Sequence, residues 1–172
     1  DGIRDSVAAR GLGDVYKRQN LHEVQWTPDP SPNNGLNDCL WETMVQSHQL
    51  GSKATLFLPG DLPLITTKDI DQIFLASDSL RKTVIAKAVK DGGTNAMLQP
   101  ASHAFKPLLG RQSFSKHKNW ILQNSIPLSI IDTPGLQFDL DDDSDYEWAI
   151  ENVDGFKNQI DDWIMWITDI SG

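Results

Sequence analysis

Residues 53–89 read KATLFLPGDLPLITTKDIDQIFLASDSLRKTVIAKAV, and this stretch decides the fold class. The run at 53–58 is apolar and stops at Pro59-Gly60, while TVIAKAV at 83–89 is rich in β-branched residues; both are predicted strands. Between them, Thr66 with Asp69 three residues on has the spacing of a capping box, which predicts a helix over 69–76. Strands joined through a helix need a crossover, and crossovers make parallel sheets covered on both faces.

The alternation continues in both directions. Upstream, a short strand is predicted at 23–26, then a loop TPDPSPNNG, then a helix over 36–49 marked by Leu36, Leu40 and Met44 and stopped at Gly51. Downstream come a loop DGGTN, a short strand at 96–99, a helix over 113–123, a strand at 127–132, an acidic stretch and a helix over 144–153. A final amphipathic helix carries Ile160, Trp163, Ile164 and Ile167. The expected fold class is α/β, with a mostly parallel Rossmann-like sheet in a single domain over 20–172. Residues 1–19 are polar with no period to bury, and their end, DVYKRQ, resembles translated adapter sequence; they are expected to be a non-native or disordered segment.

At 172 residues and 39% hydrophobic the chain is long enough for one core. Its net charge of -9 disfavours nucleic acid and anionic membranes as partners, since both reward a basic patch. One cysteine, Cys39, excludes an internal disulfide, and no Cys/His spacing suits a structural metal. No apolar run approaches the roughly 20 residues of a membrane helix, so a cytoplasmic protein is expected. Trp120, Trp148, Trp163 and Trp166 fall at helical spacing and are read as core or a packing seam.

In open α/β sheets ligands sit outside the C-terminal strand ends, so polar residues just after apolar runs are the candidates. Asp61, in LPGDLPLI, is either a metal or substrate ligand or a turn residue accepting backbone hydrogen bonds. Asp139 and Asp141 alternate with Phe138 and Leu140, so on extended backbone both carboxylates share a face, as chelation of a hard divalent cation requires. Asp142, Asp143, Asp145 and Glu147 are read as the cap and first turn of the helix that follows. A calcium loop starting at Asp139 would place Ser144 and Ile150 where it needs Gly and Glu.

Two further stretches carry polar groups. In DGGTNAML, Gly92 and Gly93 permit close backbone approach and Thr94 and Asn95 offer donors, although Asp-Gly-Gly is also an ordinary turn. In LLGRQSFSKH, Gly110 precedes a helix start at Ser113 whose free amides suit a phosphate or carboxylate, or Ser113 is a plain N-cap. His117, four residues on, lies on the same helical side and either faces that pocket or packs. Neither a P-loop nor a dinucleotide fingerprint occurs.

Taken in order, LPGDLPLI, DGGTNAML, LLGRQSFSKH and PGLQFDLDDDSDYEWA resemble the CofC family of phospholactate guanylyltransferases and its phosphoenolpyruvate relatives, from about Gly35 to Ala149. The resemblance implies a nucleotidyltransferase α/β fold similar to molybdopterin guanylyltransferase. It also implies transfer of a guanylyl group from GTP to a small phospho-acid, with pyrophosphate leaving, on the way to coenzyme F-420. It assigns Mg²⁺ to Asp61, Asp139 and Asp141, the phospho-acid to Thr94, Gly110 and Ser113, and the nucleotide to Asn37; beside these, Asn95 is a further candidate for the acid and Gly60 for the nucleotide. The family's opening strand and basic triphosphate loop should precede Glu23, and nothing comparable does, so a partial, N-terminally truncated domain is expected. A CTP or sugar-phosphate nucleotidyltransferase and a non-catalytic phospho-ligand-binding fragment are the competing expectations. The Trp-rich final helix could pack on a second copy as a homodimer.

Overall fold

The computed structural model describes residues 28, 30 and 34–170. The strand expected at 23–26 and the segment 1–19 lie outside the described residues. Elements follow in the order α1 (Leu36–Gln49), β1 (Ala54–Phe57), α2 (Thr67–Ala76), β2 (Thr83–Lys87), β3 (Thr94–Pro100), α3 (Ser113–Gln123), β4 (Leu128–Ile131), α4 (Asp143–Asn152) and α5 (Phe156–Ile170), with 3₁₀ turns at Ala101–His103 and Pro134–Leu136. The chain divides into two compact units, the first ending at Phe138 and the second beginning at Asp139.

The first unit is built on a four-stranded sheet in the order β1-β3-β2-β4. β2 and β4 are parallel, but β3 is antiparallel to both β1 and β2. The mostly parallel Rossmann-like sheet is thus corrected to a mixed one among the described residues. The physical reason is the link between β2 and β3. It is too short for a crossover and folds back as a hairpin, with the Ala88 amide donating to the Gly93 carbonyl at 3.0 Å. The Asp91 carboxylate accepts from the Gly93 amide at 2.6 Å, and Gly92 takes φ 74°, which an L side chain rarely adopts.

Both faces of the sheet are covered, which is why the centres of β2 (Val84–Ala86) and β3 (Ala96–Leu98) are apolar on both sides. Val84 and Ala86 of β2, with Ala96 and Leu98 of β3, pack with Ile73 of α2, Leu62 and Leu136. Ile85 and Met97 point the other way and pack with Ile121 of α3 and Phe105. Each buried Val, Leu, Ile or Met side chain among these contributes roughly 2 kcal/mol of transfer free energy. The alternation is interrupted once: Ala86 pairs with Ala96, but Lys87 pairs with Thr94, so β3 carries one extra residue at Asn95. This bulge turns Thr94 off the face of Ala96 and Leu98 and onto the face that α3 covers.

α2 starts with the expected capping box. The Thr66 side chain caps the first turn, and the Asp69 carboxylate accepts the Thr66 amide at 2.8 Å and its hydroxyl at 2.6 Å. Burial pushes the Asp69 carboxyl up, but the hydrogen bonds, Thr66 foremost, outweigh it and hold the group below its usual range. Gly135, in the turn after β4, lies directly against that carboxylate, and a Cβ there would also stand 2.8 Å from the Leu64 carbonyl oxygen.

In the second unit the acidic stretch divides as its spacing suggests. Asp142 is the N-cap of α4, its carboxylate accepting the Ser144 and Asp145 amides at 3.0 and 3.2 Å. The Asp145 carboxylate reaches back to the Asp141 and Asp142 amides at 2.9 and 3.1 Å. These residues are the cap that the sequence predicts. Trp148, expected in a packing seam, is 46% exposed.

Gly135→Ala is expected to destabilise the first unit by about 1–3 kcal/mol, because the added methyl meets a carboxylate and a backbone oxygen rather than a flexible chain end. Urea unfolding followed by circular dichroism measures this; a midpoint equal to the unsubstituted protein contradicts the packing described. Asp142→Ala should cost about 1 kcal/mol through loss of the α4 cap, read as faster amide exchange in the first turn of that helix.

Candidate active site

The bulge and the start of α3 bring Thr94 and Ser113 together. Both are buried, at 6% and 1% exposure, and the Ser113 hydroxyl lies 3.1 Å from Thr94 Oγ1. His117, one turn further along α3 and fully buried, places Nδ1 2.9 Å from the same Thr94 oxygen. Its other nitrogen, Nε2, accepts the Leu108 amide at 2.8 Å. Because a backbone amide can only donate, Nε2 carries no proton, and the neutral ring therefore holds its proton on Nδ1 and donates to Thr94. Burial, with Lys116 adding to it, pushes the His117 pKa down to about 4, so the ring stays neutral near pH 7.

Leu108 belongs to the irregular segment 104–110, in which the Phe105, Leu108 and Leu109 amides are met by side chains from outside the segment. The Gln99 side-chain oxygen Oε1 accepts the Phe105 amide at 2.7 Å. Asn37 exchanges two hydrogen bonds with Leu109, accepting its amide at 2.8 Å and donating to its carbonyl at 3.3 Å. Phe105 stacks on Trp120 of α3, with ring centroids 4.3 Å apart. The exposed Lys106–Asp38 ion pair, at 2.6 Å, adds little beside these.

The residues expected at the site distribute unevenly. Thr94 and Ser113 meet as described. Asn95 is 4% exposed, and its side-chain nitrogen has no hydrogen-bond partner among the described residues. Gly110 is exposed, with φ 115° and open space beside it. The Ser113 and Phe114 amides at the start of α3 donate to the Gly110 and Gly92 carbonyls, so two of the amides expected for an anion are engaged within the fold. Asn37 spends both amide atoms on Leu109. Gly60 and Asp61 are exposed in the turn after β1, where water solvates the carboxylate and no buried partner is needed. In the second unit Asp139 is half-buried and Asp141 exposed, in irregular backbone before α4.

Among the described residues, no three His, Cys, Asp or Glu side chains gather as a metal cage. Asp61 in the first unit and Asp139 and Asp141 in the second carry carboxylates, hard oxygen donors of the kind that Mg²⁺ takes alongside substrate phosphates and water. A cleft of about 360 Å³ opens beside the start of α2, lined by Leu64, Lys68, Asp69, Gln72, Thr133 and Pro134 among others. None of the expected site residues lines it.

The role of His117 was not legible in advance. Its spacing from Ser113 was a usable signal; the Leu108 amide that selects its tautomer was not, because backbone donors leave no mark on sequence. A pH dependence follows. The unfolded chain takes up a proton on this residue as pH falls through 6.5, whereas the folded one refuses it until about 4, so stability is constant above that window and lost progressively within it. Between pH 7 and 5 the loss of unfolding free energy should be smaller by about 1–2 kcal/mol in His117→Gln than in the parent chain, measured by urea titration at both pH values.

Comparison with known proteins places these residues in context. Residues 27–157 match the profile of the family described as Guanylyl transferase CofC like. A phosphoenolpyruvate guanylyltransferase of Chloroflexus aggregans is 32% identical over 121 residues, which is 69% of this chain and 57% of that protein. A 3-phospho-D-glycerate guanylyltransferase of Phenylobacterium zucineum is 31% identical over 86 residues, 50% of this chain and 39% of that one. A 2-phospho-L-lactate guanylyltransferase of Methanosphaera stadtmanae is 27% identical over 113 residues, covering 66% and 46%. The chain spans about half the length of the curated relatives it matches. In fold it is similar to a nucleotide-diphospho-sugar transferase from Desulfovibrio desulfuricans, with a TM-score of 0.60 at 10% identity over 74% of this chain and 58% of that one. No helix among the described residues is long and apolar enough to cross a membrane. With every stretch that carried the resemblance inside the matched span, the chain belongs to the guanylyl transferase CofC-like family.

Proposed function

We propose that the protein from which this chain comes transfers a guanylyl group from GTP to the phosphate of a small phospho-acid in coenzyme F-420 biosynthesis, in the cytoplasm. A phosphate oxygen of the acid attacks the α-phosphorus of GTP, the new P–O bond forms as the bond to the bridging oxygen breaks, and pyrophosphate leaves. The acid is 2-phospholactate, phosphoenolpyruvate or 3-phosphoglycerate, which present a carboxylate and a phosphate on similar small frames.

The observation that carries this reading is the buried Thr94–Ser113 pair, held at positions the resemblance assigns to the acid, within the family span. Nucleotidyl transfer asks a protein mainly to position the attacking oxygen in line and to neutralise charge. On this reading Thr94 and Ser113 bind the acid, with Asn95 as a further donor, since a buried unpaired donor costs about 1–3 kcal/mol and an anionic acceptor removes that cost. Gly110 lets the ligand come close to the backbone. Asn37 acts by holding the 104–110 segment, and Gly60 lies by the nucleotide. Asp61, Asp139 and Asp141 would hold Mg²⁺, which when bound supplies the positive charge that an acidic chain lacks.

The test is pyrophosphate release from GTP and Mg²⁺ by the purified chain with each acid in turn and no acceptor as blank. Release with one acid, lowered at least about a hundredfold in Asp139→Asn or Asp141→Asn and little changed in Asp145→Asn, is the expected result. Equal activity in the three variants sinks the ligand assignment, and preference for CTP points to the other nucleotidyltransferase reading. Mg²⁺-dependent binding of a phospho-acid without release from GTP points to a non-catalytic fragment.

A further inference from the structure

The hydrogen count at Thr94 and Ser113 carries more than the presence of two hydroxyls. His117 donates its Nδ1 proton to Thr94 Oγ1, because the Leu108 amide has claimed Nε2. Thr94 and Ser113 share one hydrogen bond, which uses one of their two hydroxyl hydrogens. Whichever of the two donates in that bond, one hydroxyl hydrogen of the pair is left without an acceptor among the described residues. A ring with its proton on Nε2 would instead accept from Thr94 and consume that hydrogen.

We propose that His117 is a positioning residue for the acceptor substrate: by donating from Nδ1 to Thr94 it obliges the Thr94–Ser113 pair to present an O–H donor, and so selects an anionic oxygen, carboxylate or phosphate, as its ligand. The inference rests on the phospho-acid reading of this site. The selection has a physical basis, since a donor without an acceptor in a buried site favours ligands that accept, and disfavours ammonium groups, which only donate. The full burial of the ring keeps it neutral and the donor direction constant across physiological pH. The same histidine also holds Leu108, so a merely structural role must be separated from this one.

Two substitutions divide the functions. The Asn amide nitrogen falls near the position of Nδ1, so His117→Asn can keep the donor to Thr94 and lose the acceptor for Leu108; His117→Gln reaches the Nε2 position and does the reverse. Affinity for phosphoenolpyruvate, 3-phosphoglycerate and 2-phospholactate is measured by calorimetry on the full chain, and the tautomer of the parent protein by ¹⁵N shifts of the imidazole. Expected are a proton on Nδ1, an Asn variant within about threefold of the parent, and a Gln variant weaker by about tenfold or more, because Thr94 then keeps its hydrogen but loses the partner that orients it. Gln binding as well as the parent, Asn losing as much as Gln, or a proton on Nε2 overturns the inference and leaves the substrate reading intact. If the parent binds none of the three acids, that reading falls and the inference with it. Should either His117 variant fail to fold, Thr94→Ser against Thr94→Val decides: affinity kept in Ser and lost in Val supports the donor role, and equal affinity overturns it.

Discussion

A fully buried imidazole has no water to satisfy its nitrogens, so the protein around His117 must supply one donor and one acceptor at fixed positions. The donor is the backbone amide of Leu108 and the acceptor the hydroxyl of Thr94, one on the 104–110 segment and the other on the sheet. The ring therefore fastens a segment that makes no strand or helix of its own to the strand beneath it. Gln99 and Asn37 do the same for the Phe105 amide and for both polar groups of Leu109. Such side chains do for the Phe105, Leu108 and Leu109 amides what the ladder of a strand would have done, which lets this irregular backbone lie against the core.

That arrangement depends in turn on the bulge in β3. With regular alternation Thr94 would share a face with Ala96 and Leu98 and point toward the cluster of Ile73 and Leu136. The extra residue opposite Ala86 and Lys87 redirects it to the face of Met97, where α3 lies. The hairpin that precedes it is anchored to the same helix. Gln112, in a left-handed conformation at the N-cap, donates to the Asp91 carbonyl at 3.1 Å, and the Phe114 amide reaches Gly92. Turn, bulge and helix start are thus one connected structure, and the two hydroxyls meet where it closes.

The aspartates illustrate how one residue type serves different ends. Asp69, Asp142 and Asp145 complete capping boxes, accepting backbone amides that a helix start would otherwise leave unpaired. Asp61 and Asp141 are exposed and Asp139 half-buried, outside those boxes' carboxylate positions. The difference lies in distance from a helix start, a property already present in the spacing.

Local physics was readable from the chain alone. The helices at Leu36–Gln49 and Ser113–Gln123 have the predicted limits, and the boxes at Thr66/Asp69 and Asp142/Asp145 are formed, because caps, apolar period and breakers act over a few residues. The sheet was misjudged for a complementary reason: strand direction is decided by which strands become neighbours, and the short Ala88–Gly93 link placed β3 between β1 and β2. Thr94 and Ser113 were identifiable as polar residues beside glycines, but not as partners, since a one-residue register shift sets which face Thr94 takes. The tautomer of His117 belongs to tertiary structure entirely, because it follows from a backbone amide nine residues away whose position only the packed fold determines.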